Sequence, residues 1–211
     1  MIIWGAGTPR SFRPIWIAEE LGLSYEHRPI GPRTGETRTD AYTKLNRKQK
    51  IPFFQDDHIG LSESVAICRY LLDVHGPGEL YSPTDALSRA KQDEWVCYIY
   101  GEIDETSLYV MRRHGDLESI YGEAPEAVKS SKKYASKHLS VVARHMEKHQ
   151  YVVGEAFGFA DVMLVSCIDW AKFYDLELPD VLIEYQSRIA LRPGYKRAYE
   201  VNYPKPDKKG A

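Results

Sequence analysis

Apolar positions change period near residue 80 of this 211-residue chain. Before it, short apolar runs bounded by turn residues alternate with stretches of helical period; after it only the helical period is present. Ile2-Ile3-Trp4 predicts a first strand, and the loop Gly5-Ala-Gly-Thr-Pro9 leads to a helix over about 11–21, closed by Gly22. Residues 25–30 predict a second strand, and the polar loop 31–35 precedes a short helix near 39–45. Residues 52–55 and 58–61 flank Asp56-Asp57 as a hairpin. A helix over about 63–74 then ends at His75-Gly-Pro-Gly78. The predicted order is βαβ, then α, then ββα.

Residues 80–85 form a linker in which Ser82, Pro83 and Thr84 can cap the next helix. One long helix is predicted over about 86–114 and a second over about 125–149. The second carries Val128, Ala135, Leu139, Val142 and Met146 on one stripe. Lys129, Lys132, Lys133, Lys137 and Lys148 lie largely off it, as a solvated face does. Shorter helices follow near 159–173, 179–189 and 193–200, and the polar tail 204–211 reads as a loose end. The fold class is an α/β N-terminal domain, residues 1–78, followed by an all-α C-terminal domain, residues 86–203.

Charge narrows the function. Twenty-eight basic against thirty acidic residues leave a net charge of −2, so no positive excess exists to neutralise nucleic-acid phosphates. The apolar runs stop far short of the ~20 residues that cross a bilayer, and Met1-Ile-Ile-Trp-Gly lacks the basic start of a secretory leader. A soluble cytoplasmic protein with no nucleic-acid or membrane partner is expected. Cys68, Cys97 and Cys167 are widely separated, form no metal-binding spacing, and read as buried thiols. Fifteen tyrosines against six phenylalanines suggest a pocket or interface rich in hydroxyls.

The chemistry concentrates in Asn46-Arg-Lys-Gln-Lys-Ile-Pro-Phe-Phe-Gln55 and the following Leu61-Ser-Glu-Ser-Val-Ala-Ile67. Pro52 has no amide hydrogen and can follow a cis bond, holding the Ile51 backbone outward for an extended peptide-like ligand. Glu63-Ser64 opens a helix whose first amides and positive dipole end suit a carboxylate. The Ser64 hydroxyl adds a donor, and Glu63 can accept from an ammonium. Two adjacent residues thus match one amino-acid head group. Taken singly, Pro52 as a strand start and Glu63 as a helix start are sufficient explanations.

Together these segments resemble the glutathione S-transferase family, whose pattern is Asn-Pro-x-Gly-Lys-Val-Pro followed by Leu-x-Glu-Ser-x-Ala-Ile-x-x-Tyr-Leu. Glu19-Glu-Leu-Gly-Leu-Ser-Tyr-Glu26 and Gly154-Glu-Ala-Phe-Gly-Phe-Ala-Asp-Val162 carry the resemblance into other parts of the chain. Arg47 and Gln49 stand where the pattern has Pro and Gly, and Gly158 stands where it has the Ser or Thr of a capping box. The resemblance implies a thioredoxin-like first domain, glutathione as co-substrate, transferase activity and a homodimer, with no metal. It implies that Ile51, after which Pro52 starts the strand, pairs with the cysteinyl backbone. Glu63 and Ser64 hold the γ-glutamyl head, and Gln49 and Lys50 reach the glycine carboxylate.

Members of the family lower the thiol pKa with a hydroxyl or thiol in or after the first strand. Here Trp4 stands where some classes have Tyr, and the loop offers Thr8 and, one turn later, Ser11. Thr8 aligns with the Ser-Pro or Cys-Pro pair of tau- and omega-like classes, Ser11 is its rival, and Arg10 adds charge. Either hydroxyl also suits a helix cap. The second substrate would be a small hydrophobic or aromatic electrophile, met by residues of the long helix such as Trp95, Tyr98, Tyr109 and Arg112. Aromatics at helical spacing are more often core or dimer contacts than ligand sites, so none of them is named as a site residue. A non-catalytic ligand-binding or interaction protein of the same fold, and a glutathione-dependent isomerase or reductase, are the alternatives.

Overall fold

The computed structural model describes residues 1–204; the tail from residue 205 on lies outside the described residues. The chain divides into two compact units, one of Met1–Gly78 with the segment from Ala190 on, the other Glu79–Ile189.

In the first unit, β1 (Ile2–Trp4), α1 (Pro9–Glu20), β2 (Glu26–Arg28), α2 (Asp40–Leu45), β3 (Phe53–Gln55), β4 (Gly60–Ser62) and α3 (Ser64–His75) follow the predicted order. The four-stranded sheet runs β2-β1-β3-β4, with β1 parallel to β2 and β3 antiparallel to both neighbours. Side chains alternate across it. Ile3 pairs with Phe54, and both are fully buried with Ile15, Ile67 and Leu71 of α1 and α3. Trp4 pairs with Phe53, and Tyr42 of α2 meets both rings edge-on, at 5.6 Å from Trp4 and 6.3 Å from Phe53.

The last helix, α10 (Pro193–Asn202), packs on α1. Tyr195 meets Phe12 and Trp16 edge-on at 5.4 and 5.0 Å, and Tyr199 and Tyr203 continue the contact to Phe12 at 6.2 and 6.0 Å. Three tyrosines spaced four apart fall on one helical face. Arg192 grips Glu20 through two bonds of 2.9 and 2.8 Å, and Arg197 reaches Glu19 at 2.8 Å.

The second unit is helical. α4 (Ala86–Tyr98) starts at Asp85, whose carboxylate accepts from Leu87 N and Ser88 N. The expected long helix does not keep one hydrogen-bond pattern. Past Tyr98 it widens to a π-helical stretch, Ile99–Leu108, returns to α over α5 (Tyr109–Met111) and widens again over Arg112–Asp116. Ser107 Oγ donates to Glu102 O at 2.6 Å, an inserted hydroxyl of the kind that opens the ladder. α6 (Glu118–Tyr121), α7 (Pro125–Met146), α8 (Phe159–Phe173) and α9 (Asp180–Ile189) complete the unit. Ala135, Leu139, Val142 and Met146 of the predicted stripe are buried, and the five lysines are exposed. No described helix is long and apolar enough to cross a membrane.

The cysteine expectation needs correction. Cys68 and Cys167 are buried, whereas Cys97 is exposed. Cys97 follows the buried Val96 on α4, and the 100° step per residue carries it off the packed face.

Candidate functional site

The β1–α1 loop is held from several sides. Gly5 N donates to Arg28 O and Ala6 N to Ile30 O, while His27 Nε2 lies 3.0 Å from Gly5 O. Gly5 has φ +116°, and a Cβ there would lie 2.8 Å from Ile51 Cβ, so only glycine lets this loop close against the segment ahead of β3. Gly7 N donates to Asn202 O at 2.7 Å.

Thr8, not Ser11, is the N-cap of α1. Its Oγ1 accepts from Ser11 N at 3.0 Å and stands 2.9 Å from Ser11 Oγ, so both candidate hydroxyls belong to one capping box. They differ in access. Thr8 is partly exposed; Ser11 is fully buried, and its hydroxyl donates to Asn202 Oδ1 at 2.7 Å. Ser11 reads as a cap from sequence because it opens the apolar helical period. Pro9 at the first helical position moves the actual start two residues earlier.

The second half of the site runs from Gln49 to Ser64. The Ile51–Pro52 bond is cis. Lys50 O accepts from Tyr42 hydroxyl at 2.7 Å and Asn46 Nδ2 at 2.9 Å, which anchors the chain just before Ile51. Lys50 and Gln49 are exposed, and Gln49 Nε2 donates to Thr43 Oγ1 at 3.0 Å. Gln49 also has φ +52°, left-handed backbone of the kind glycine supplies freely.

Glu63 has φ +77° and ψ 116°, a conformation that costs a non-glycine residue about 1–3 kcal/mol and is found mainly where a site needs it. It turns the chain from β4 into α3. Ile67 N makes the first intrahelical bond, to Glu63 O at 3.0 Å, leaving the amides of Ser64, Val65 and Ala66 ahead of the helical ladder. Ser64 is buried, and Arg13 Nη1 donates to its Oγ at 3.4 Å.

Lys48 and Arg13 are the site residues that sequence reasoning missed. Lys48 Nζ pairs with Glu63 Oε1 at 2.8 Å, with both side chains about half exposed. An exposed pair of this kind adds little stability, so Glu63 stays available to a second cation. Arg13 is fully buried inside α1 and stands beside Ser64 and Cys68. A cation at a core position of an amphipathic helix was the available signal for it.

Two of the long-helix aromatics, Trp95 and Tyr98, pack against α7. Trp95 meets His145 of α7 at 4.2 Å between ring centroids, and Tyr98 hydroxyl lies 2.7 Å from His138 Nδ1. These two side chains therefore belong to helix packing within the second unit. Burial holds both His138 and His145 below the ordinary histidine pKa.

A mixed sheet with a cis-proline ahead of its antiparallel half, followed by a helical unit, defines the thioredoxin-like class of fold with an added helical domain. Residues 1–73 match the glutathione S-transferase N-terminal domain and residues 92–188 the C-terminal domain. The chain belongs to the glutathione S-transferase family. It is 28% identical over 158 residues to glutathione S-transferase GstA of Escherichia coli O157:H7, covering 73% of this chain and 74% of that one. A theta class glutathione S-transferase from Xanthomonas axonopodis pv. citri, solved with glutathione bound, superposes with a TM-score of 0.78 at 25% identity, covering 93% of this chain and 95% of the other. A glutathione transferase homolog from Lodderomyces elongisporus, with two GSH per subunit, shares the fold at a TM-score of 0.85 and 19% identity, over 95% and 97% of the two chains.

Proposed function

We propose that the protein is a glutathione transferase that binds glutathione on its first unit and activates the thiol for attack on a small hydrophobic or aromatic electrophile. The observation that carries this reading is Glu63, held at φ +77° directly ahead of the unpaired first amides of α3. That strain has a use if a ligand carboxylate sits on those amides and on Ser64, with Glu63 accepting from the adjacent ammonium. The donor set fits one zwitterionic γ-glutamyl head.

The rest of the tripeptide finds partners in sequence order. Ile51 offers its backbone to the cysteinyl residue; no described residue takes a hydrogen bond from its amide. Pro52, in its cis bond, holds that segment. Lys50 and Gln49, exposed just before it, are within the stretch of chain that reaches the glycine carboxylate.

Thr8 is the hydroxyl we assign to the thiolate. Lowering a thiol from ~8.5 by 1.5–2 units needs about 2–3 kcal/mol of preference for the charged form. A hydroxyl donor and a helix N-terminus share that task. The thiol proton leaves to solvent, the sulfur lone pair forms the new bond to the electrophilic atom, and the leaving group departs with its bonding pair. Ser11 is set aside as donor because its proton already goes to Asn202. The same reading implies a cytoplasmic homodimer with a detoxifying role.

Retention on immobilised glutathione tests the binding half. Wild type is retained, and Ser64→Ala is retained at least tenfold less. Equal retention of the two, or none by wild type, removes the reading.

A further inference from the structure

We infer that Asn202, the last residue of α10, is a positioning residue for the Thr8 hydroxyl: it fixes the loop and leaves Thr8 as its one hydroxyl able to donate to a bound thiolate. The inference rests on the assignment of Thr8 made above. Asn202 stands 194 positions from Thr8 in sequence, yet is fully buried against the β1–α1 loop.

Three hydrogen bonds join them. Asn202 O accepts from Gly7 N at 2.7 Å, Asn202 Nδ2 donates to Thr8 O at 3.1 Å, and Asn202 Oδ1 accepts from Ser11 Oγ at 2.7 Å. Donor and acceptor roles orient the amide, and distance orients the Ser11 hydroxyl, whose acceptor Asn202 Oδ1 at 2.7 Å is nearer than Thr8 O at 3.0 Å. Thr8 O can only accept, so the amide nitrogen must face it, and the amide oxygen must then face Ser11. Ser11 has one hydroxyl proton and gives it to that oxygen.

The consequence passes to Thr8. With its proton committed, Ser11 Oγ presents lone pairs to Thr8 Oγ1 at 2.9 Å and to Thr8 N at 3.3 Å. Thr8 Oγ1 meanwhile accepts from Ser11 N at 3.0 Å. The proton of Thr8 therefore has a choice that the others lack: the neutral Ser11 oxygen or an incoming thiolate. A charged acceptor makes the stronger bond and takes it. Without the Asn202 side-chain amide, the proton of Ser11 turns to Thr8 O, 3.0 Å away, or to Thr8 Oγ1, and Thr8 O loses its outer donor, while the bond of Gly7 to the backbone oxygen at position 202 remains.

The bonds of Asn202 also tie α10 to the loop, to which the aromatic contacts named for that helix do not reach. Tyr195, Tyr199 and Tyr203 hold α10 to α1 through Phe12 and Trp16. Ring packing thus already holds α10 to α1, and the side-chain amide of Asn202 goes to Thr8 and to Ser11, its partner in the capping box.

The test uses the full chain with glutathione. In Asn202→Leu, which removes the amide at similar volume, the bound thiol pKa rises by about one unit and kcat at neutral pH falls about three- to fivefold with the thiolate fraction. KM for glutathione and retention on the glutathione resin stay within about threefold, since Glu63 and Ser64 are untouched. The loss shrinks as pH approaches the pKa of free thiol, which a merely structural defect would not show. Asn202→Ala gives the same shift if leucine is not accommodated. In wild type, the Gly7 amide exchanges slowly with deuterium. An unchanged thiol pKa in the Asn202 variants, with Thr8→Ala raising it, overturns the inference and spares the assignment of Thr8. No change in Thr8→Ala overturns both, and fast exchange at Gly7 removes the anchor itself.

Discussion

Tyr185 donates its phenolic hydroxyl to Asp161 Oδ1 at 2.5 Å, inside the second unit. Asp161 also accepts from Val152 N and Gly158 N, each at 2.8 Å, so one buried carboxylate ties the start of α8 to α9 and to the chain before it. Gly158 caps α8 without a side chain, so only the reciprocal half of a capping box exists here, and Tyr185 supplies a third donor to it. Tyr185→Phe should lower stability by about 2 kcal/mol, the value of a hydrogen bond to a charged group, with an unchanged m-value in urea unfolding.

The same carboxylate sets a pH dependence. Burial pushes the Asp161 pKa up to about 6, against the lowering effect of its three donors. A carboxyl raised in the folded state contributes stability that is fully present below its unfolded pKa of ~3.9 and is lost as pH rises through the folded value. Relative to Asp161→Asn, wild type should therefore lose stability on the order of 3 kcal/mol between pH 4 and pH 7. Urea midpoints across that range check it, and wild type gaining stability relative to Asp161→Asn as pH rises contradicts it.

Gln49 is an exposed residue in left-handed backbone, at φ +52°. Glycine there removes a strain of roughly 1–2 kcal/mol, part of which returns through its greater freedom in the unfolded chain. Gln49→Gly should stabilise the protein by about 0.5 kcal/mol in thermal or urea unfolding.

What was legible in the sequence followed local signals. Gly22 and Gly76 end helices through their own backbone geometry, and the β3–β4 hairpin follows from short strands around Asp56-Asp57. Pro52, Glu63 and Ser64 came out of their spacing and the family resemblance. The rest depends on partners far away in sequence. Thr8 and Ser11 cannot be ranked without Asn202, and the excess of tyrosine is partly explained only when Tyr195, Tyr199 and Tyr203 meet α1. The π-helical stretch after Tyr98 leaves the apolar period intact while changing which carbonyl each amide finds. Periodicity does not report that change.

Cysteine reactivity should divide by burial. Cys68 is fully buried, and burial pushes its thiol far above the ordinary range; Cys167 is buried as well. Under native conditions a soluble alkylating reagent should label Cys97 alone of the three, and all three in denaturant, as mass spectrometry of peptides reports.

The pKa of the glutathione thiol bound to the protein, read from the ultraviolet absorbance of the thiolate against pH, tests the central claim. Wild type should show a bound thiol about 1.5–2 units below the ~8.5 of a free one. Thr8→Ala should return it most of the way, and Ser11→Ala should leave it lowered. A protein that retains glutathione but shows no thiolate near neutral pH would contradict transferase chemistry and leave a binding protein in its place.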